Sequence, residues 1–218
     1  MRRHHVQLES PFRRRSGDVL VHGHFGRPVL AIPPAGGRAW DFDDNAMIES
    51  LTDLVQGGRA KIYCVDGRDL DEADERGARA AYDAWLVERV LPFIYADCDG
   101  PLEVLTAGCG DGAVSAAGLA IRRADLFPVA VCMSGRYDDD FCDSIEALHA
   151  DHFEWIGGRV LVVLGAANDG ADEAASAAFA ASLGYLGIQH EIARVPDGTP
   201  CGWPAWRHLA ATHLPRFC

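Results

Sequence analysis

The feature that most constrains the fold of this chain is an alternation of short apolar runs with longer segments of helical spacing. The run AKIYCVD (60–66) is as short as a strand and rich in β-branched and aromatic residues. Segment 73–97 instead has apolar residues at helical spacing, and Pro92 is expected to kink or end that helix. Continuous apolar strands separated by helices indicate a mostly parallel sheet covered on both faces. The sequence therefore predicts an α/β fold.

The same alternation runs through the whole chain, so we predict one domain over residues 1–218. The predicted strands are 19–24, 28–33, 60–66, 101–108, 127–135, 159–166 and 190–198. The predicted helices are 73–97, 112–124, 172–187 and 203–217. Sites in such sheets form at the carboxyl ends of the strands. Four segments leave strands there: PPAGGRAWDF, TAGCGDGA, LGAANDGAD and VPDGTPCGW.

Charge and cysteine content narrow the classes of function. The formal net charge of −12 argues against nucleic acid or an anionic membrane as the main partner, because phosphates require Lys and Arg. The basic residues before position 16 are expected to form a solvated segment. The seven cysteines are odd in number, and several lie in apolar runs, which favours reduced thiols and a cytoplasmic protein. No residue spacing indicates a metal site, and no cofactor is predicted.

The stretch LTAGCGDGAVSAAGLA (105–120) has the pattern of a strand, a glycine-rich turn and a helix. In many hydrolases such a turn carries a nucleophile in the pattern small-x-Ser-x-small-small. The corresponding register here is Gly108-Cys109-Gly110-Asp111-Gly112-Ala113. The nucleophile position is therefore occupied by Gly110, which has no side chain.

Several strings together resemble the α/β-hydrolase fold and, within it, a bacterial esterase family related to esterase D-type and polyhydroxyalkanoate-depolymerase-like proteins. The strings that carry the resemblance are GRPVLAIPPAGGRAWDFDDNAMI, GGRAKIYCVDG, LVERVLPFI, AGCGDGA, IRRADLFPVAVCMSGRYD and GWPAWRHL. The resemblance covers nearly the whole chain and implies a single-domain fold. It also implies a reduced cap, because only a short segment separates SGRYD from the next strand.

The resemblance implies a Ser-His-acid triad, and its positions are altered here. The serine position is Gly110, and the histidine position, two residues before Trp203, is Cys201. The acid position falls on Asn168, with Asp169 one residue late. Joint changes at all three positions indicate that the triad is no longer in use.

The same resemblance places an oxyanion hole at the backbone of Asp111 and of the Ala35–Gly36 loop. A carboxylate at Asp111 would repel a developing oxyanion unless it turns away. The pocket residues are predicted to be Arg38, Trp40 and Trp203.

Three function classes follow from these residues. The leading one is an esterase homologue without its triad that binds a small-molecule ligand or a protein partner. The second is an active ester or thioester hydrolase with Cys109 as relocated nucleophile, since a group resembling dienelactone hydrolase uses a cysteine. Ser134 is a weaker candidate nucleophile, and Cys201 with Cys109 a weaker candidate redox or metal pair. The third class is a purely structural or interaction protein, including a homo-oligomer.

Overall fold

The computed structural model describes residues 2–10, 16–69, 75–166 and 170–218. Within these residues the strands form one sheet in the order β1-β2-β4-β3-β5-β6-β7-β8. Strand β2 is antiparallel to β1 and β4, and all other neighbours are parallel. The strands are β1 Arg3–Leu8, β2 Gly17–His22, β3 Arg27–Ile32, β4 Ala60–Val65, β5 Leu105–Cys109, β6 Val129–Met133, β7 Leu161–Ala166 and β8 Gln189–Arg194. This architecture confirms the predicted α/β class.

Helices cover both faces of the sheet. They are α1 Asp41–Asp44, α2 Met47–Ser50, α3 Thr52–Gln56, α4 Glu75–Trp85, α5 Leu91–Asp97, α6 Asp111–Arg122, α7 Asp139–Glu146, α8 Ala150–Ile156, α9 Gly170–Tyr185 and α10 Trp203–His213. Alternate residues of one strand enter opposite layers of the core. Tyr63 of β4 packs in the layer that contains α4 and α6, whereas Ile62 and Cys64 pack in the layer of α2 and α10.

The helical segment around Pro92 continues where the sequence predicted a kink or an end. A π-helical turn, Leu86–Val90, joins α4 to α5, and the amide of Leu91 donates to the carbonyl of Leu86. Proline has no amide hydrogen to donate, and it lies here in the first turn of α5. The wider turn lets the helix pass Pro92 with Trp85, Leu86 and Ile94 still buried.

The amino-terminal segment is a second difference from the prediction. The sequence predicts a solvated segment there, but residues Arg3–Leu8 form β1 and pair antiparallel with β2. The predicted strands at 19–24 and 28–33 are present with shifted bounds, as β2 and β3, and β4 lies between them. None of the helices in the described part of the chain is long and apolar enough to cross a membrane.

The carboxy-terminal residues are held at the amino ends of β3 and β4. The Arg59 guanidinium donates to the carbonyl oxygens of Pro215, at 2.7 Å, and Cys218, at 3.0 Å. The Arg27 guanidinium donates to the carbonyl oxygen of Phe217 at 3.0 Å. Helix α10 therefore begins near the carboxyl ends of the strands, and the residues that follow it are tethered at their amino ends.

Candidate functional site

The loops after β5 and β6 and the loop before α10 line an open cavity of about 350 Å³ at the carboxyl ends of the strands. We call it the elbow cavity. Its lining residues are Gly110, Asp111, Ser134, Arg136, Cys201, Gly202 and Trp206. Among the residues singled out in the sequence, the structure thus brings Gly110, Asp111, Ser134 and Cys201 together. The volume lies within the range of small-molecule sites.

The turn between β5 and α6 has the geometry of a nucleophile elbow. Gly110 has φ 56° and ψ −122°, a conformation that disfavours residues with a side chain. A Cβ at Gly108 would collide with the carbonyl oxygen of Gly112, and one at Gly112 with the carbonyls of Ile32 and Pro33. Strand and helix can approach this closely only because both positions are glycine.

Space at Gly110 itself is not restricted in this way. A Cβ built on Gly110 would lie 3.6 Å from Cβ of Pro34 and 3.8 Å from Cζ2 of Trp206, which are ordinary van der Waals contacts. The position is therefore sterically open to a serine side chain. Only the positive φ opposes such a residue.

The carboxylate of Asp111 is engaged by a buried arginine. Arg68, only 5% exposed, places Nε 3.2 Å from Oδ2 and Nη2 3.4 Å from Oδ1 of Asp111. The Arg68 carbonyl oxygen also accepts a hydrogen bond of 2.7 Å from the Gly36 amide. The negative charge expected to disturb the oxyanion hole is therefore paired, and one of the three predicted hole amides, that of Gly36, already has an acceptor.

The two thiols near the elbow lie in different environments. Cys109 is completely buried in the core, and this burial raises the pKa of its thiol. Cys201 is exposed and lines the elbow cavity. In the part of the chain that the structure describes, neither thiol is hydrogen-bonded to a histidine. No group of three or more metal-ligating side chains there could hold a metal ion.

Two buried polar atoms on residues that line the elbow cavity have no hydrogen-bond partner among the described residues. They are Oγ of Ser134 and Nε1 of Trp206. Ser134 is 6% exposed and adopts φ 56°, and its amide donates to the carbonyl oxygen of Gly165 at 2.7 Å. Arg136 is exposed and forms no ion pair with any described residue. Sequence reasoning missed Arg136; the signal was the polar string SGRYD directly after a strand.

The three predicted pocket residues lie outside the lining of the elbow cavity. The Arg38 guanidinium stacks on Trp40 at 5.3 Å, and Trp40 lies 5.0 Å from the His5 ring. Trp203 packs edge-on against Phe42 and against Trp206, which does line the cavity. The Ala35 loop also lies outside the lining, although Pro34 contacts the elbow. The two predicted acid positions, Asn168 and Asp169, lie outside the described residues.

A second cavity, of about 330 Å³, lies between α4, α6 and α7, and we call it the arginine cavity. Its charged lining residues are Arg76, Arg79, Arg122, Asp83, Asp138 and Asp140. Arg79 pairs with Asp138 at 3.0 Å, and Arg122 lies 3.8 Å from Asp83 and donates to Ser144 at 2.7 Å. Burial raises the pKa of Asp83 to about 6 against the opposing effect of Arg122. No motif in the sequence marks this cavity.

The sheet order, the elbow and the crevice above it define the α/β-hydrolase fold, and several of the solved structures that it resembles are described as esterases or as a serine hydrolase. A ferulic acid esterase superposes with a TM-score of 0.78 over 99% of this chain and 96% of its own, at 13% identity. MPT51 (FbpC1) of Mycobacterium tuberculosis gives 0.71 over 97% and 96%, at 15% identity. An IroE-like serine hydrolase from Shewanella oneidensis gives 0.69 over 95% and 79%, at 14% identity. Neither a protein-family model nor a curated protein matches the sequence.

Proposed function

We propose that this chain is a protein of esterase-like fold that has lost ester hydrolysis and binds a small-molecule ligand in the elbow cavity. The observation that carries the proposal is Gly110, which has the backbone conformation of an elbow nucleophile but no reactive atom. The glycines at 108 and 112 keep the turn closely packed around that position. The turn that would present a nucleophile is thus present, whereas the nucleophile itself is missing.

The position of the general base supports the same conclusion. A serine hydrolase needs an imidazole within hydrogen-bond reach of its nucleophile. The residue at the histidine position is Cys201, an exposed thiol on the rim of the elbow cavity. The imidazole of histidine is the side chain whose ordinary pKa suits a general base near pH 7. The change from Ser to Gly and that from His to Cys therefore remove the two reacting partners together.

The two relocated nucleophiles are poorly placed for attack. Attack by cysteine requires the thiolate, and the burial that raises the pKa of Cys109 keeps its thiol protonated. The side chain of Cys109 also has no exposed surface through which a substrate could reach it. Ser134 lines the elbow cavity, but its hydroxyl has no partner that could act as a base among the described residues.

The open elbow cavity favours a ligand over a purely structural role. The side chains that could have plugged the crevice are Asp111, which pairs with Arg68, and Arg38, which stacks on Trp40. A cavity of about 350 Å³ remains above Gly110. A protein partner or a second copy of the chain stays a prediction, as does a cytoplasmic location, which the seven free cysteines support.

The test is hydrolysis of short- and medium-chain p-nitrophenyl esters and of a thioester by the purified protein. Cys109→Ala and Ser134→Ala are measured beside it. We expect no turnover above background from any of the three proteins. Turnover that Cys109→Ala abolishes would establish a thiol hydrolase and overturn the proposal. Turnover that only Ser134→Ala abolishes would overturn it in favour of a serine nucleophile.

A complementary experiment restores the triad with Gly110→Ser, Cys201→His and Asn168→Asp. Because a side chain at 110 meets only ordinary contacts, we expect the triple variant to fold and to gain weak esterase activity. The control is Gly110→Ser alone, which has the nucleophile without a base and should stay at background. A folded but silent triple variant would mean that the oxyanion hole or the pocket has been lost as well.

A further inference from the structure

The arginine cavity contains three guanidinium groups that come from two helices. Arg76 and Arg79 are three residues apart and therefore lie on one face of α4, and Arg122 is the last residue of α6. The Cζ atoms of Arg79 and Arg122 lie 5.8 Å and 5.6 Å from the centroid of the same ring, that of Phe141. Burial lowers the pKa of Arg122; Asp83 opposes this shift, and the like charge of Arg79 adds to it. An anion between these two guanidinium groups would relieve their repulsion.

Each of the three guanidinium groups keeps N–H donors that a ligand can reach. Arg79 uses Nη2 for the carboxylate of Asp138, and Arg122 uses Nη2 for the hydroxyl of Ser144. In the described part of the chain, Nε and Nη1 of these two arginines donate to no other group, and none of these nitrogens is fully buried. The side chains of Arg79 and Arg122 are 16% and 31% exposed, and Arg76 is exposed without an ion pair to any described residue. A ligand in the cavity therefore meets three cationic donor groups.

Two carboxylates of the lining lie at the start of α7. Asp138 accepts hydrogen bonds from the Phe141 amide, at 2.7 Å, and from Arg79, at 3.0 Å. Its side chain is 49% exposed, and Asp140 is exposed as well, so water screens both charges. These two carboxylates therefore oppose a bound anion only weakly.

The third carboxylate of the lining, that of Asp83, lies deeper, with Oδ1 fully buried. Its Oδ2 lies 3.8 Å from Nη1 of Arg122, too far for a hydrogen bond. Burial raises the pKa of Asp83 to about 6. The groups that face it are Arg122, Ser115 and Arg79, which lower this pKa, and Asp111, which raises it. When Asp83 is neutral, the described lining of the cavity has three cations and two anions.

We propose that the arginine cavity binds a phosphate group, whose oxygens are held by the guanidinium groups of Arg76, Arg79 and Arg122. Each guanidinium can donate to two oxygens at once, and a phosphate offers oxygens to several such donors, whereas a carboxylate has only two. The cavity, at about 330 Å³, is larger than the bare ion needs and lies in the range of small-molecule sites, which favours a phosphate monoester. The site is separate from the elbow cavity and does not depend on the proposed function.

The experiment measures the affinity of the full chain for phenyl phosphate, inorganic phosphate and benzoate by calorimetry at pH 7.5 and constant ionic strength. We expect phenyl phosphate to bind at least about tenfold more tightly than benzoate, which has the same ring and a carboxylate. Arg79→Gln and Arg122→Gln should each weaken phenyl phosphate about tenfold, as expected for a lost charge-assisted hydrogen bond. Phenyl phosphate binding more tightly than inorganic phosphate identifies the ligand as an ester, and the reverse order identifies it as the free ion.

A second variant, Asp83→Asn, should bind more tightly than the wild type. It removes the deepest carboxylate of the lining, so we expect the affinity for phenyl phosphate to rise about threefold or more at pH 7.5. The matched control is Asp53→Asn, which removes an exposed carboxylate on α3, a helix of the opposite layer of the core. A gain of affinity cannot come from a misfolded protein, so this measurement decides even where an arginine variant is unstable.

The control for the arginine variants is Arg89→Gln, which removes an exposed arginine outside the cavity lining and should leave the affinity unchanged. Equal losses in Arg89→Gln and Arg122→Gln would overturn the inference, since they would report only net charge. Benzoate binding as tightly as phenyl phosphate would overturn it too, as would equal affinities in Asp83→Asn and Asp53→Asn. Failure of both phosphates to bind would overturn the inference and leave the elbow cavity as the proposed ligand site.

Discussion

The elbow cavity and the arginine cavity are nearly equal in volume, yet they are built in opposite ways. Backbone shapes the floor of the elbow cavity, where glycines at 108 and 112 touch carbonyl groups, and two polar atoms of its lining residues lack partners. The arginine cavity lies between helices, and two of its three arginines bond to groups of the same lining: Arg79 to Asp138, and Arg122 to Ser144. Rigid backbone therefore shapes the first cavity, whereas charged side chains shape the second.

The largest expected difference between the two cavities is the loss of stability that one added methyl group causes in each. Gly108→Ala forces a Cβ against the Gly112 carbonyl, and backbone cannot move aside, so we expect a loss of about 3 kcal/mol or more in the free energy of unfolding. Gly118→Ala, beside the arginine cavity, places its Cβ 2.5 Å from Nη1 of Arg122 and 3.2 Å from Cε2 of Phe141, side-chain atoms that can shift more readily than backbone, so we expect a smaller loss of about 1–2 kcal/mol. Urea denaturation measures both.

Equal losses of stability in the two glycine variants would contradict the contrast between a rigid elbow cavity and an adaptable arginine cavity. Gly110→Ala serves as an internal reference within the elbow. Its Cβ meets only ordinary contacts, so the positive φ alone should cost about 1–2 kcal/mol.

The second prediction concerns the buried partner of Asp111. Arg68→Met leaves a partly buried carboxylate without its cation, and we expect a loss of about 2–3 kcal/mol in the free energy of unfolding. Arg79→Met in the arginine cavity should cost less than about 1 kcal/mol, because its partner Asp138 is half exposed. Denaturant melts compare the two variants. If Arg68→Met with Asp111→Asn is no more stable than Arg68→Met alone, the pairing explanation fails.

The smallest effect depends on pH and arises from Asp83. Burial raises the pKa of Asp83 from 3.8 in the unfolded chain to about 6 in the folded one. The folded protein therefore holds this proton more tightly, and the contribution of Asp83 to stability falls as the pH rises from about 4 to above 6. Asp83→Asn removes that loss, so its stability relative to wild type should increase by about 2 kcal/mol between pH 4 and pH 7.5.

Thermal or urea melts across that pH range test the sign of the Asp83 effect. Asp125→Asn is the control of opposite sign, because the hydrogen bond from Arg123 lowers the pKa of Asp125. That variant should lose stability relative to wild type as the pH rises towards about 4 and change little above it, so its melts are extended to more acidic pH. A pH-independent difference for Asp83→Asn would mean that Asp83 titrates normally.

Much of the sheet could be predicted because its strands are buried on both faces and are therefore continuously apolar, as in β4. Strand β1 could not be predicted, because its sequence RHHVQL has an exposed face and only two apolar residues, Val6 and Leu8. Its position at the edge of the sheet results from pairing with β2, which no local pattern records.

The site was predicted in part for a similar reason. A glycine-rich turn after a strand is a local signal, and it located Gly110 and Asp111. The partner of Asp111 is Arg68, which lies 43 positions earlier and meets it only through the order of the strands. Arg79 and Arg122 likewise come from separate helices, so the arginine cavity has no signature in the sequence.

Helix α10 connects the elbow cavity, at the carboxyl ends of the strands, to the amino ends of β3 and β4. This helix carries Trp206 at the cavity, spans about 16 Å and ends where Arg59 and Arg27 hold the last residues. We expect this helix to detach as a unit, so a ligand bound against Trp206 opposes its detachment. Slower amide hydrogen exchange as far away as Leu214 would thus report that a ligand has entered the cavity.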